Sequence, residues 1–446
     1  MSEHLDLPAV GSDAPLAIVG AGPVGLAAAA WAAERDMPFR VLEAGPTPGA
    51  NVRDWGHVRL FTPWRHLIDG AALRRLGTQG WAAPRLDDFP TGLEFADRWI
   101  EPLAKSFGPA IETRTEVLAI ERPDGSDAPF RLTVRHAGGI GTVSAGAVLD
   151  ASGTWRTPNF LGDDGPVAGE DGAPVHYGVP DVLGRDRATH AGRRVLVVGA
   201  GHSAANVLMD LARLADEAPG TEITWAVRGG SPVRLFGGGA ADQLPARGAL
   251  GASVRDLVDS GRVTLHMGVR VDIVSTTRSG TLVTARDGRE IGPFDAIVAA
   301  TGQRPDLSIT RGLSLDLDPL IIAPRRLAPM IDPRIHSCGT VPPHGHAVLG
   351  HPEKGYYAVG AKSYGTAPTF LMATGYEQAR SIIAALAGDL VAANDVRLVL
   401  PETGVCSGGG DGQSCCGGAS STESDCCALD TAAKRGGASG CGCRAA

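Results

Sequence analysis

The chain has 446 residues, 43% of them hydrophobic and 20% charged, with a formal net charge of −8. That length allows two or three domains with ample core, and the acid excess excludes a large basic face of the kind that binds nucleic acid. The opening MSEHLDLPAV has no basic region followed by an apolar run, so no secretion signal is expected. Residues 16–19 (LAIV) read as a short buried strand, followed at once by Gly20-x-Gly22-x-x-Gly25 and an Ala-rich helix. That helix, GLAAAAWAAERD, meets charge too soon to span a bilayer. The next strand, FRVLEA, ends in Glu43.

Each residue type in this stretch has a physical role. Gly20 permits a tight turn, Gly22 lets the backbone approach a pyrophosphate, and Gly25 lets helix and strand pack closely. The helix start at Pro23, Val24 and Gly25 offers amide donors and partial positive charge to phosphates. Glu43 can accept hydrogen bonds from a ribose diol. Further on, GAPVHYGVPDVLGRDRATHAGRR carries His176 and leads into a second unit of the same design. Residues 195–198 form a strand, Gly199-x-Gly201-x-x-Ala204 forms the loop, and His202, Ser203 and Ala204 begin a helix. The following strand, EITWAVR, ends in Arg228 rather than an acid, which favours a 2′-phosphate over a free 2′-hydroxyl, with Arg234 as a competing candidate. Two apolar runs, AVLDASG and AIVAATG, end in Gly153 and Gly302, small residues that leave room for a cofactor beside the backbone.

The order GAGPVG, ASG, GAGHSA, ATG resembles flavoproteins with two dinucleotide-binding domains, a superfamily that includes thioredoxin and glutathione reductases and flavin-containing monooxygenases. The resemblance covers roughly residues 14–390. It implies an α/β fold with two Rossmann-like domains: an FAD domain at 14–155 and 295–398, split by an NADPH domain at 156–294, with a Cys-rich tail at 401–446. FAD and NADPH are the cofactors it implies. The disulfide-reductase branch carries a redox-active Cys pair beside the flavin, and no cysteine follows Glu43 until Cys338. The monooxygenase branch needs no such dithiol, and passes electrons from NADPH through the flavin to dioxygen. The Phe160-x-Gly162 pair resembles the start of a monooxygenase fingerprint whose histidine would be His176, ten residues late. The aromatic stretch WGHVRLFTPW places His57 in a region that faces the flavin in the family. In YYAVGAKSYGTAPTFLMATGYEQ the resemblance implies a helix whose N-terminus points at the flavin, with Pro368 in its first turn and Thr369 beside the cofactor. Ala361 and Lys362 stand where many relatives place an Asp for the ribityl chain.

DPRIHSCGTVPPHGHAVLGHPEKG gathers four histidines and Cys338, but the spacing fits no standard zinc pattern and a structural or substrate-lining loop is expected. Seven of the eight cysteines then fall at or beyond Cys406. The tail is rich in Gly, Ser and Ala, too poor in apolar side chains to offset ordering entropy. A flexible Gly/Ser chain from Leu400 to Cys427 spans roughly 30 Å, enough to visit an active-site mouth. Cys415 with Cys416, Cys426 with Cys427, and Cys441 with Cys443 can each offer two soft sulfurs to one thiophilic metal(loid). The tail resembles Cys-pair segments of bacterial arsenic- and mercury-handling proteins, and the whole chain resembles flavin monooxygenases of arsenic-resistance gene clusters. Three readings follow: a cytoplasmic monooxygenase using dioxygen on a small soft substrate, possible arsenicals included; a reductase relaying electrons to tail cysteines; or a flavoprotein with a sequestering tail.

Overall fold

The computed structural model describes residues 10–123, 128–230, 236, 245–336 and 341–398. The first strand–loop–helix unit forms as its sequence predicts: β1 (Leu16–Val19), α1 (Pro23–Ala33) and β2 (Phe39–Leu42). Strand β1 is buried along its whole length. It is flanked by β2 on one side and β7 (Ala147–Asp150) on the other, all parallel, and β3 (Ile111–Glu112) and β16 (Tyr356–Ala358) complete the sheet in the order β16-β7-β1-β2-β3. A parallel sheet covered on both faces needs near-continuous apolar strands, which LAIV and AVLD supply. Helix α1 is buried nearly all round, and its small side chains let other elements come close.

The second sheet repeats the plan. It contains β8 (Val175–Tyr177), β9 (Arg194–Val198), β10 (Glu222–Ala226), β11 (Thr264–His266) and β15 (Ala296–Ala299) in the order β11-β10-β9-β15-β8, again parallel, with α2 (His202–Glu217) following β9. Each sheet carries a three-stranded antiparallel sheet inserted before a later strand: β4 (Glu116–Glu121), β5 (Phe130–His136) and β6 (Gly139–Ala145) lie between β3 and β7 in the first, and β12 (Val271–Thr277), β13 (Gly280–Ala285) and β14 (Glu290–Phe294) between β11 and β15 in the second.

Two expectations are corrected here. Strand β15 pairs with β9, so the second sheet extends to Ala299 instead of ending at residue 294. Helix α3 (Met372–Leu386) begins at Met372, not at Pro368. The chain spends residues 365–370 in a turn that sets the Phe370 ring on Tyr364, with centroids 5.2 Å apart. Among the described residues, no helix is long and apolar enough to cross a membrane.

Candidate functional site

Both nucleotide loops show the close approaches that require glycine. Gly20 has φ +100°, and a Cβ on it would lie 2.8 Å from the Ala151 carbonyl oxygen. Gly25 lies so near the turn that a Cβ would meet Gly20 O at 2.0 Å. Gly22 faces open space, as a backbone that must approach a ligand should. In the second loop, Gly199 (φ +135°) would place a Cβ 2.2 Å from Ala300 O, and Gly201 again faces open space. Thus the small-residue strand ends ASG and ATG each pack against the first glycine of a loop; Gly153 and Gly302 both have positive φ, with nothing within 4 Å of a Cβ on Gly153.

Helices α1 and α2 both start on a glycine N-cap, with no side-chain cap and no acid in the first turn. Their N-terminal charge is therefore left for an anion. Glu43 follows β2 directly, and its carboxylate accepts from Ala21 N (2.8 Å) and Gly45 N (2.7 Å). These bonds fix the carboxylate beside the loop and use one acceptor site per oxygen, leaving others for a diol. In the second unit Gly199 N donates to Ala226 O as Gly20 N donates to Leu42 O, so Val227 occupies the position equivalent to Glu43. No acid stands there, and Arg228 comes one residue later, its Nη1 3.0 Å from Asp163 Oδ1. Arg234 lies outside the described residues.

Between the two units is a cleft of ≈ 250 Å³, lined by Trp55, Phe61 and Trp155 on its aromatic side and by His202, Asn206 and Gln303 on its polar side. The Phe61 and His202 rings are 5.0 Å apart, joining the segment after β2 to the start of α2. Trp155 Nε1 donates to Asp54 Oδ2 (3.2 Å) and Arg156 Nε to Asn51 Oδ1 (3.0 Å), closing the same seam. Gln303 directly follows the ATG strand end and Trp155 comes two residues after the ASG one, a proximity that could have pointed to both.

His57 and His176, widely separated in sequence, come within electrostatic reach of each other. Burial pushes the His176 imidazole below its usual range, with Asp186 opposing and His190, Arg185 and His57 adding to the effect. Asp210 belongs to the same neighbourhood, its carboxyl raised by burial against the pull of Arg213 and His57. His57 Nε2 is buried with no hydrogen-bond partner. Thr369 is buried and its hydroxyl donates to Ile331 O (3.0 Å).

Lys362 is sealed in the first unit. Its Nζ lies 2.5 Å from Asp150 Oδ2 and 3.1 Å from Ser152 Oγ, with Tyr356 OH donating to the same Asp150 oxygen at 3.1 Å. Ala361 follows Gly360 directly, and Lys362, next to it, is neutralised by the end of β7. The His-rich stretch holds no metal grouping among the described residues. His344 bonds to Gln378 and Pro342, and His346 to Ser381. Cys338 and the tail cysteines Cys415, Cys416, Cys426, Cys427, Cys441 and Cys443 lie outside the described residues.

The pattern of the family described as pyridine nucleotide-disulphide oxidoreductase matches residues 17–320. Among curated proteins, a ferredoxin–NADP reductase of Cupriavidus necator is 27% identical over 295 residues, 64% of this chain and 70% of that one. A ferredoxin–NADP reductase of Salinispora tropica is 28% identical over 337 residues, 73% and 85% respectively. Among solved structures, the bacillithiol disulfide reductase of Bacillus cereus superposes with a TM-score of 0.63 at 18% identity, covering 84% of this chain and 99% of its own. The flavin-containing monooxygenase of Stenotrophomonas maltophilia superposes with a TM-score of 0.54 at 21% identity, covering 84% and 98%. These structures share the fold with two dinucleotide-binding units. FAD and NADPH are the cofactors of this group, and the two glycine cradles, open at Gly22 and Gly201, fit dinucleotides.

Proposed function

This chain belongs to the pyridine nucleotide-disulphide oxidoreductase family, as an FAD-dependent NAD(P)H oxidoreductase, and from that premise we propose that it is a monooxygenase delivering electrons from NADPH to dioxygen and a small soft substrate. One observation carries the choice against a disulfide reductase: the matched span, residues 17–320, contains no cysteine. A disulfide reductase of this fold would need a dithiol within reach of the flavin, and thiolate chemistry has no other side chain to substitute for it.

Bound FAD would supply the redox chemistry, taking hydride from NADPH and giving electrons onward. The chain's own contribution is binding, orientation and exclusion of water. We assign the FAD phosphates to Gly20, Gly22, Val24 and Gly25, with Pro23 setting the helix start, and the ribose to Glu43. Gly199, Gly201, His202, Ser203 and Ala204 receive the NADPH phosphates, and Arg228 the 2′-phosphate. Trp55, Phe61 and Trp155 form the dry wall of the cleft, where polar contacts strengthen as water leaves. His176 is held neutral, and His57 Nε2 is the proton site we assign to a bound substrate. A thiol-bound arsenical is the most specific soft substrate consistent with the cysteine-paired tail.

The tail supports a second reading, electron relay or thiophilic capture at Cys415–Cys416, Cys426–Cys427 and Cys441-x-Cys443. Truncation after Thr403 separates the two. We expect the truncated protein to retain NADPH oxidation in air within about twofold. If that activity, or NADPH oxidation driven by arsenite, mercuric ion or a disulfide, depends on the tail, the relay reading replaces ours.

A further inference from the structure

Arg228 is one of three arginines gathered at a single point. It follows β10, and Arg270 follows β11, the neighbouring parallel strand, so both stand at the C-terminal edge where open parallel sheets take their ligands. The backbone holds them together: Val269 N donates to Val227 O (2.9 Å) and Gly268 N to Gly229 O (3.1 Å). Arg286 comes from the turn between β13 and β14, and its amide donates to Arg270 O at 2.8 Å. All three guanidiniums face Asp163. Its Oδ1 accepts from Arg228 Nη1 at 3.0 Å and its Oδ2 from Arg270 Nη1 at 2.8 Å, with Arg286 Nη1 3.8 Å from Oδ2. Arg286 Nη2 also donates to Asp164 (3.0 Å).

The exposures are unequal in a telling direction. The Asp163 side chain is 12% exposed, while those of Arg228, Arg270 and Arg286 are 62%, 39% and 46% exposed. The anion is sunk beneath a layer of cations that faces solvent. Among the described residues, Asp163 accepts one N–H from each of Arg228 and Arg270, and Asp164 accepts one from Arg286. Planar guanidiniums at such a point match the geometry of a phosphate dianion.

We propose that Arg270 and Arg286 join Arg228 in reading the 2′-phosphate of NADPH, and that Asp163 is the internal anion with which that phosphate competes. The inference rests on the reading that Arg228 meets the 2′-phosphate. It adds two specificity-determining residues from outside the strand–loop–helix unit, and a carboxylate that limits affinity. Burial works against the Asp163 charge, but the hydrogen bonds from Arg270 and Arg228 outweigh it and keep the carboxyl below its usual range. The competitor therefore stays charged at neutral pH.

The test is calorimetric binding of adenosine 2′,5′-bisphosphate and of 5′-AMP, which lacks the 2′-phosphate, to the flavin-loaded full chain. Wild type should favour the bisphosphate. Arg270→Gln and Arg286→Gln should each weaken bisphosphate binding about tenfold, the loss expected when one charge-assisted bond goes, and leave 5′-AMP binding unchanged. Asp163→Asn keeps the shape and removes the charge, and should tighten bisphosphate binding severalfold. Unchanged 5′-AMP binding in every variant shows that the domain still folds. If wild type binds the two ligands equally, the 2′-phosphate reading of Arg228 fails and takes this inference with it. If wild type discriminates but Arg270→Gln and Arg286→Gln discriminate equally well, this inference alone fails. Weaker bisphosphate binding by Asp163→Asn would overturn the role given to Asp163.

Discussion

Gly25 and Lys362 mark opposite ends of what single residues disclose. The need for glycine at position 25 was legible in the motif, because a helix that must touch its strand tolerates no Cβ, and the structure puts the offending contact at 2.0 Å. Lys362 was legible only as a departure from the expected acid. Its partner Asp150 lies 212 residues away in sequence, and no local pattern announces such a pair. Arg270, Arg286 and Asp163 were missed for the same reason, since three separate elements bring them together. The Lys362–Asp150 pair, 1% and 0% exposed, gives a prediction at this scale. Removing one partner of a buried pair leaves an uncompensated charge and costs about 3–5 kcal/mol, whereas removing both charges together can be nearly neutral. Lys362→Met should therefore lower the unfolding free energy from denaturant titration by about that amount, and Lys362→Met with Asp150→Asn should recover most of it. Equal loss in the single and double variants would show that the pair is not what holds this end of β7.

At the scale of elements, strand–loop–helix units read well and their surroundings did not. LAIV, the glycine triplet and the Ala-rich helix agree with one another at every level, and so do their counterparts at 194–217. The start of α3 was misplaced because Pro368 suits a turn as well as a first helical turn, and the packing of Phe370 on Tyr364 decides between them. The strand at Ala296–Ala299 was given to the wrong sheet because a buried apolar run does not name its neighbour.

The histidine-bearing loop before β16 carries a further prediction. His344 Nδ1 donates to Pro342 O, so its Nε2 is left to accept from Gln378 Nε2 (3.1 Å), whose Oε1 in turn accepts from Gly360 N. A proton on Nε2 would set two donors face to face. Burial lowers the imidazoles of His344, His346 and His351, with hydrogen bonds to the backbone partly opposing. A folded value below the unfolded one, about 6.5, means the unfolded chain binds the proton more tightly. Their stability contribution is thus full above about pH 6.5 and lost as pH falls through the folded values. The melting temperature should fall between pH 7.5 and pH 5.5, and His344→Gln should show a shallower fall. A steeper or identical fall in that variant would remove His344 from the account.

Among the described residues, one design is used twice. Sheet order β16-β7-β1-β2-β3 matches β8-β15-β9-β10-β11, each with a three-stranded annex, and the first glycine of each loop rests on a small-residue strand end. The repeated motifs made the duplication readable in sequence. The cleft was less readable, because Trp55 and Phe61 come from a segment that shares no motif with the strand ends beside Trp155 and Gln303. What distinguishes the two halves chemically is the charge at the end of the second strand: Glu43 in one, Val227 and Arg228 in the other. In the proposed reading electrons enter at the second unit and leave through the first, the cysteine-free span from 17 to 320 offers them no dithiol, and dioxygen is the acceptor we propose. The most direct measurement is rapid mixing. The flavin of the full-length protein is reduced anaerobically with NADPH, then mixed with air-saturated buffer, with a disulfide, or with reduction-competent ferredoxin in its oxidised form. The account predicts return of the yellow absorbance with dioxygen at least about tenfold faster than with either alternative. Reduced flavin that persists in air and is reoxidised promptly by the disulfide or by ferredoxin would contradict it.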